Sequence, residues 1–342
     1  MKIDLFSHFM PGPYMAALQE RYGGHPLVRY ASRIRPLWDM EERLRLLAPW
    51  PDLQQVVTLG QPMPEMIAGP ADAPELARIA NDGMAAIRDA HRARFPAFVA
   101  SLPMNDLAAA LAEMDRAVEE LGACGIQILT NVCGRPLDTP ELFPIFERIT
   151  ERHGLPVWMH PWRPPSVPDY PGESESRYEI FSVLDWPHET SVAMARLVFS
   201  EVLERLPGLR LITHHCGATI PYLAGRVGPM WDELGQRGNN AEYQALRARM
   251  AARGLRPIDY FRRFYGDTVL GGATSALRCG LDFFGPDHVV FGTDFPYGPE
   301  GGMWFLRENM KSIDEIDVAP GVRDGIYFGN ALRLMRRGSA PG

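Results

Sequence analysis

Hydrophobic residues gather in eight short, nearly uninterrupted runs, and longer stretches that mix apolar and charged residues separate these runs. Runs rich in Val, Ile, Leu and Phe that do not alternate with polar residues are typical of parallel strands covered on both faces. The runs begin at Lys2 (KIDLFSH), Gln54 (QQVVTLG), Phe95 (FPAFVASLP), Gly125 (GIQILTN), Leu155 (LPVWMHP), Leu209 (LRLITHH), Phe264 (FYGDTVL) and His288 (HVVFGTD).

The stretches between the runs predict helices. Residues 74–94 and 106–123 carry Ala, Leu, Met and charged residues at helical spacing, and glycines mark the end of the second stretch. Strand followed by helix, repeated eight times, predicts an α/β fold of the (β/α)8 TIM-barrel type. Pro and Gly concentrate at residues 161–171 and 292–302, so we expect a distorted barrel with loop insertions on its C-terminal face. We expect residues 1–342 to form one domain.

Composition narrows the function classes. The net charge of -7 argues against a nucleic-acid partner, which usually requires a basic face. No run approaches the roughly twenty apolar residues of a membrane-spanning helix, and the first predicted strand begins at Lys2, which leaves no room for a signal peptide. We therefore expect a cytoplasmic protein. Its four cysteines lack the spacing of a disulfide framework or zinc knuckle, so we expect reduced, mostly buried thiols.

Four candidate functional residues follow the predicted strands: His8, His160, His215 and Asp294. The C-terminal ends of parallel barrel strands converge on one face, so these side chains are expected around one pocket. Imidazole and carboxylate ligands suit one divalent metal ion, with Zn²⁺ favoured and Mn²⁺ or iron as alternatives. Each residue alone has a simpler interpretation, such as a hydrogen-bonded structural histidine or, for Asp294, a turn cap.

Six segments in the same order resemble one known family. They are DLFSHFMP at Asp4, MHPW at Met159, WPHET at Trp186, HHCGATIPYLAGR at His214, GTDFPYG at Gly292 and GNALRL at Gly329. These segments resemble the amidohydrolase superfamily, in particular its aminocarboxymuconate-semialdehyde decarboxylase-like branch, over nearly the whole chain.

The resemblance implies roles for individual residues. His160 matches a metal ligand, and Asp294 matches an aspartate that binds metal and carries a proton. His215 lies six residues before Pro221 and matches a histidine that contacts the metal-bound water or the substrate rather than the metal. His8 matches the second histidine of a first-strand HxH pair, whose first position is Phe6 here.

Phe6 departs from the pattern of the family, because a phenylalanine ring cannot donate a lone pair. The expected ligand set is therefore His8, His160 and Asp294, a two-histidine, one-carboxylate face with open positions. His188 or His214 could compensate. We favour a simpler interpretation for both, in which His188 opens a helix or lines the substrate pocket and strand alternation points His214 away from His215.

Candidate substrate-binding residues follow from the same resemblance. It places a carboxylate-recognising arginine near the WD-containing segment, which makes Arg33 or Arg35 a candidate, although a solvated or salt-bridged arginine is the simpler interpretation. Trp162 and Trp186 are expected to form pocket walls or to pack the loop after the fifth strand. Phe6 and His188 complete the predicted substrate-binding set.

Together these observations predict a metal-dependent nonoxidative decarboxylase, a C–C lyase, of a small aromatic or unsaturated carboxylic acid. The alternative is a metal-dependent hydrolase of a lactone, amide or C–C bond that uses metal-bound hydroxide, and a second alternative is a metal-free barrel that binds a small molecule. His215 and Asp294 are the catalytic candidates in the first two hypotheses. Relatives in this branch imply a homodimer, for which residues 235–260 and 326–337 offer a surface.

Overall fold

The computed structural model describes residues 1–336, and its strands form a parallel barrel. The first strand pairs in parallel with the second, and six further strands form a continuous parallel sheet. A short antiparallel hairpin follows the fourth strand. The strands of the described chain are β1 (Lys2–Phe9), β2 (Leu53–Leu59), β3 (Ala100–Ser101), β4 (Ile126–Leu129), β5 (Asn131–Val132), β6 (Arg135–Pro136), β7 (Val157–His160), β8 (Leu211–Thr213), β9 (Tyr265–Asp267) and β10 (Val289–Val290).

Two isolated contacts close the barrel. A parallel bridge between Val57 and Phe98 connects β2 to the segment that enters β3, and a parallel bridge between Ser7 and Phe295 connects β1 to the segment that leaves β10. The Leu5 amide also donates to the Phe291 carbonyl at 2.9 Å. The barrel order is therefore β1, β2, β3, β4, β7, β8, β9 and β10, and all eight predicted runs contribute to it. The prediction of a (β/α)8 barrel is confirmed.

Helices surround this barrel. Within residues 1–336 the α-helices are α1 (Gly12–Tyr22), α2 (Pro26–Arg33), α3 (Met40–Leu47), α4 (Pro64–Ile67), α5 (Ala73–Ala90), α6 (Leu107–Glu119), α7 (Phe143–Glu147), α8 (Trp186–Phe199), α9 (Val202–Arg205), α10 (Thr219–Tyr222), α11 (Ala224–Asp232), α12 (Ala241–Ala252), α13 (Pro257–Phe261), α14 (Thr274–Phe284), α15 (Met303–Glu315), α16 (Pro320–Asp324) and α17 (Asn330–Leu334). Short 3₁₀ or π turns cover Arg35–Leu37, Pro140–Leu142, Arg148–His153, Phe181–Asp185, His214–Gly217, Pro286–His288, Pro299–Gly302 and Gly325–Gly329.

The helix α5 shows how the sequence pattern produces this layer. Leu76, Ala77, Ala80 and Met84 are fully buried and recur at helical spacing, so one face of the helix covers the barrel. The helix ends at Ala90, four residues before the predicted end at residue 94. The neighbouring α6 begins after Asp106, whose carboxylate accepts the Ala109 amide at 3.0 Å as an N-terminal cap.

The core has two parts. Ten fully or nearly fully buried apolar residues from the strands and their ends fill the barrel interior, and among them Trp158 donates its indole N–H to the Leu5 carbonyl at 2.7 Å. A larger apolar cluster lies between the barrel and the helices. In the described part of the chain no helix has both the length and the apolar character that crossing a membrane requires.

Three expectations have different outcomes. Cys216 is buried, but Cys124 and Cys279 are partly exposed and Cys133 is exposed, so the prediction of mostly buried thiols is wrong. All four thiols are free. The division into one domain and the homodimer stay predictions, and residue 337 of the predicted C-terminal surface lies outside the described residues.

Candidate metal centre

Four side chains with metal-binding atoms converge at the C-terminal face of the barrel. His8 lies near the end of β1, His160 ends β7, His214 follows β8, and Asp294 lies beyond β10. One nitrogen or oxygen atom from each lies within 4.8 Å of the corresponding atoms of the others. The Asp294 Oδ1 atom is 3.1 Å from His8 Nε2 and 3.4 Å from His214 Nε2. The set therefore presents three imidazoles and one carboxylate toward a common point.

The imidazoles of His8 and His160 are held by hydrogen bonds at their Nδ1 atoms. His8 Nδ1 is 2.9 Å from the Thr58 hydroxyl and 3.3 Å from the Leu59 carbonyl, both on the neighbouring strand β2. His160 Nδ1 lies 2.8 Å from the Pro161 carbonyl. A histidine that donates its Nδ1–H to the protein keeps the Nε2 lone pair for a cation, which is how protein groups around a metal fix ligand orientation.

His214 has a stronger partner, the buried carboxylate of Asp267 at the end of β9. His214 Nδ1 donates to Asp267 Oδ2 at 2.5 Å. The other carboxylate oxygen accepts the backbone amides of Cys216 at 3.1 Å and Val269 at 3.0 Å. Asp267 is therefore fixed by two elements, and it directs the His214 ring toward Asp294.

The backbone conformation of Asp294 is unusual and is held by hydrogen bonds to β1. Asp294 has a φ of 63°, which is uncommon for a residue other than glycine and is often found at functional sites. Its amide donates to the Phe6 carbonyl at 2.8 Å, which ties this left-handed residue to β1. The adjacent Thr293 donates its amide to Asp4 Oδ1 at 3.0 Å and its hydroxyl to Asp4 Oδ2 at 2.5 Å.

A buried hydrogen-bond network of Arg43, Gln55 and Asp4 supports strand β1. Arg43 donates to the His8 carbonyl through Nη1 and to Gln55 Oε1 through Nη2, each at 2.7 Å. The Gln55 amide in turn donates to Asp4 at 2.9 Å. Arg43, Gln55 and Asp4 are fully buried. The network therefore connects α3 to β1, which carries His8, and through Asp4 to Thr293, which precedes Asp294.

The charges of the four side chains depend on one another. Burial favours the neutral form of His214, but the carboxylates of Asp267 and Asp294 outweigh it and raise the pKa of His214 to about 10. Burial, together with the neighbouring His214 and His8 rings, holds the pKa of His160 well below its usual range. Burial opposes ionisation of Asp294, yet His214 and His8 hold the pKa of that carboxyl well below its usual range.

The donor set fits a divalent cation. His8 Nε2 and Asp294 Oδ1 are buried atoms that lack a hydrogen-bond partner in the described structure, although they lie close together. Buried polar atoms without partners are costly, and a cation between them would satisfy both. A cation would also take the place of the proton that His214 otherwise carries, because metal ligands must be deprotonated. The predicted ligands His8, His160 and Asp294 are thus brought together, and His214 joins them.

The expectation that strand alternation points His214 away from His215 is wrong. Strand β8 ends at Thr213, and His215 and Cys216 then adopt left-handed φ values of 56° and 53°. The alternation of side chains holds only while the strand continues, so the turn brings His214 and His215 together with ring centroids 4.1 Å apart. His215 lies beside the four-residue group rather than in it.

His215 presents a neutral ring to the site. Burial, together with the nearby charge of His214, lowers the pKa of His215 to about 3. Its Nδ1 atom is buried and has no hydrogen-bond partner in the described structure. A neutral imidazole beside the cluster can accept or relay a hydrogen bond from a substrate, which keeps the predicted catalytic role open as a prediction.

Aromatic residues border the cluster on the side of β7. The Trp186 ring lies 5.8 Å from the His160 ring, and Trp162 lies 6.1 Å from Trp186. The Trp186 indole N–H donates to the Arg163 carbonyl at 3.1 Å, which fixes the loop after β7 against α8. Trp186 therefore both packs the loop and lines the region next to a metal-binding histidine. His188 is exposed near the start of α8.

The structure does not bring the two candidate arginines to the cluster. Arg33 is exposed at the end of α2. The Arg35 side chain is 68% exposed and donates from Nε to Asp39 Oδ2 at 2.8 Å, an ion pair one helical turn apart. This arrangement agrees with the simpler interpretation of a salt-bridged surface arginine. A role for either residue in binding the substrate carboxylate stays a prediction.

Sequence reasoning missed Asp267, and it named His214 only as a less favoured residue that could compensate for Phe6. Asp267 lies in the middle of the predicted run FYGDTVL, but the strand in the structure, β9, ends at this residue. The signal that could have identified it is a carboxylate inside an otherwise apolar strand-like run, since a buried charge needs a partner. Its partner His214 could not be assigned from alternation, because the left-handed turn after Thr213 is a property of the folded chain.

Comparison with known proteins identifies the family of this chain. The amidohydrolase family model matches residues 3–337, almost the entire chain. The chain belongs to the amidohydrolase family. This amidohydrolase is 29% identical to the 2-amino-3-carboxymuconate-6-semialdehyde decarboxylase of Dictyostelium discoideum, with 98% of this chain and 91% of the relative covered. It is 30% identical to the 6-methylsalicylic acid decarboxylase of Penicillium expansum, with 98% and 96% covered.

Solved structures show the same architecture. This amidohydrolase superposes on the 5-carboxyvanillate decarboxylase of Sphingomonas paucimobilis with a TM-score of 0.76 and 25% identity, with 98% of this chain and 99% of the other covered. A dihydroxybenzoic acid decarboxylase from Polaromonas sp., solved with bound manganese and an inhibitor, gives a TM-score of 0.72 and 25% identity, with 98% and 96% covered. The predicted membership of the amidohydrolase superfamily, and with it the prediction of an enzyme, is confirmed.

Proposed function

We propose that this amidohydrolase is a divalent-metal-dependent nonoxidative decarboxylase of a small aromatic carboxylic acid. The observation that carries the proposal is the convergence of His8, His160, His214 and Asp294 at the C-terminal ends of four barrel strands. Active sites of this barrel lie on that face. The decarboxylases named above, which share the fold and family, favour this reaction over hydrolysis.

His8, His160 and Asp294 would hold the cation, and His214 converges on the same point. When bound, the cation would supply positive charge that binds an anionic substrate and withdraws electrons from the bond to be broken. Three imidazoles and a carboxylate suit Zn²⁺, while the manganese in the Polaromonas relative supports Mn²⁺. We propose that one of these two ions is native.

The rest of the reaction requires the delivery of one proton. A carboxylate becomes a C–H bond and carbon dioxide when a proton reaches the ring carbon and the electron pair of the broken C–C bond returns to the ring. The Asp294 side chain is partly exposed, and we assign it as the proton carrier. His215 is assigned to hold a substrate oxygen through its imidazole, because its pKa of about 3 keeps the ring neutral.

The aromatic border supports the ring character of the substrate. Trp186 beside His160 offers a flat surface next to the metal-binding group. Offset or edge-to-face contacts between aromatic rings stabilise a complex by about 0.5–1.5 kcal/mol beyond area burial. We therefore propose a planar aromatic acid rather than an open-chain one as the substrate class. We also propose that the protein is a homodimer and is located in the cytoplasm.

The test measures metal content by elemental mass spectrometry beside carbon dioxide release from a panel of hydroxybenzoates. The wild type, His160→Ala and Asp294→Ala are compared, each after stripping and separate reloading with Zn²⁺ or Mn²⁺. His91→Ala is the matched control, because His91 lies at the end of α5, outside the converging group. We expect metal and gas release in the wild type and control only. Bound metal without gas from any acid would favour the hydrolase instead.

A further inference from the structure

We propose that His214 occupies the coordination position that β1 leaves without a donor at Phe6. This inference rests on the proposed function, since it concerns the cation that the proposed decarboxylase would bind. It assigns a fourth ligand from a different strand to a site whose first strand provides only His8. His214, which directly follows β8, would then supply the donor that β1 lacks at Phe6.

Phe6 occupies the place next to the His214 ring. Their ring centroids lie 4.4 Å apart with an interplanar angle of 30°, and Phe6 is fully buried. Phe6 and His8 are two residues apart on β1, so both are expected on the same face of that strand. The phenyl ring fills the space beside the cluster with a group that cannot coordinate, and it supports one face of His214.

His214 is constrained as a ligand would be. Its Nδ1–H bond to Asp267 fixes the tautomer and leaves the Nε2 lone pair facing Asp294 at 3.4 Å. Both side chains are essentially buried, with exposures of 1% and 0%. A carboxylate that accepts the second N–H of a ligating histidine is the recurrent arrangement around protein metals. Asp267 is itself fixed by two backbone amides.

A purely structural His214–Asp267 ion pair is the competing explanation. It would not require the Nε2 side of His214 to meet three other donors, one of which is the Nε2 atom of His8 with no hydrogen-bond partner in the described structure. It would also leave unexplained why the His160 ring stacks on His214 at a centroid distance of 5.1 Å. The convergence is explained when all four groups share one cation.

The neighbouring His215 provides a matched comparison. It is the same residue type, its ring contacts His214, and it lies outside the converging group. Metal affinity should therefore depend on His214 and not on His215. The resemblance-based assignment agrees on His215, since it gives that residue a contact with the metal-bound water or the substrate rather than with the metal.

The test measures Zn²⁺ and Co²⁺ dissociation constants by chelator competition, with the visible spectrum of Co²⁺ as a second readout. We expect His214→Ala and His214→Gln to weaken binding by more than the ~10–100-fold typical of losing an outer-shell partner. Glutamine retains a donor for Asp267, so it controls for loss of the ion pair. We expect His215→Ala to keep a metal affinity close to that of the wild type, and circular dichroism checks that each variant is folded.

A rescue variant makes the test sharper. Phe6→His combined with His214→Ala returns a donor to β1, and we expect it to recover part of the affinity lost in His214→Ala. Wild-type affinity in folded His214→Gln, or loss of affinity in His215→Ala, would overturn the inference. Metal binding that depends on His214 without carbon dioxide release would refute only the proposed function. Carbon dioxide release with metal binding independent of His214 would refute only this inference.

Discussion

Replacing Glu65 with glutamine should change how the stability of this fold depends on pH. Glu65 lies in the short helix α4 after β2 and is 6% exposed. Its Oε2 atom is buried and has no hydrogen-bond partner in the described structure. Burial raises the pKa of Glu65 from its ordinary value near 4.5 to about 8. The folded state therefore holds this carboxyl as the neutral acid at neutral pH.

The sign of the effect follows from proton binding. Between about pH 4.5 and pH 8 the folded protein keeps a proton on Glu65 that the unfolded chain releases. The unfolded state binds fewer protons in that window, so the Glu65 contribution to the free energy of unfolding falls as pH rises through it. At about 1.4 kcal/mol per pKa unit the full loss is ~5 kcal/mol, an upper limit because water entry would reduce it.

Glutamine has nearly the same shape and does not titrate. We expect Glu65→Gln and wild type to differ little at pH 5, and the variant to be more stable by up to ~5 kcal/mol at pH 8.5. Urea denaturation followed by circular dichroism, with chelator present in every sample, measures both proteins at each pH. The difference between them removes the contributions of other titrating groups. A difference that stays constant from pH 5 to pH 8.5 would refute the reasoning.

Three further predictions concern the site and its support. Arg43→Met removes two buried hydrogen bonds of 2.7 Å, to the His8 carbonyl and to Gln55, and a longer one of 3.4 Å to the Pro36 carbonyl. At about 1.5–3 kcal/mol for each bond to a charged group, urea denaturation should show a loss of ~3–6 kcal/mol, and a loss below ~1 kcal/mol would contradict this role. Asp267→Asn should lower metal affinity about 10–100-fold in chelator competition, whereas unchanged affinity would assign Asp267 no part in orienting His214. Trp186→Ala should raise KM for an aromatic acid up to about tenfold at unchanged metal content, since one aromatic contact contributes about 0.5–1.5 kcal/mol. Unchanged KM would place the substrate elsewhere.

The barrel and three of the four converging residues could be predicted because both depend on strand ends. Apolar runs identify buried parallel strands, and the direction of those strands decides which side chains meet. His8, His160 and Asp294 follow from this rule without knowledge of any contact. Strand lengths were less predictable. The run at residues 95–103 contains only Ala100–Ser101 as a strand, since Pro96 and Pro103 have no amide hydrogen for the ladder.

The remaining features depend on local geometry that periodicity does not encode. The left-handed turn at His215 and Cys216 decided the position of His214, and it ended the alternation on which its prediction relied. The pairing of Arg35 with Asp39 one turn later agrees with the simpler interpretation of the sequence, a salt-bridged surface arginine. The role of the Asp267 carboxylate depends on its hydrogen bond with His214 from the adjacent strand, which the sequence pattern does not show.

Closure of the barrel between its first and last strands has a consequence for how the protein matures. His8 and Asp294 lie on either side of that junction, where the Ser7 and Phe295 backbones meet. During synthesis nearly three hundred residues separate these two donors, so the complete site exists only after the last strand has emerged and docked. A bound ion would therefore connect the first and last strands of the barrel. It would stabilise the closed barrel by ~2.7 kcal/mol when its free concentration is about 100 times the dissociation constant.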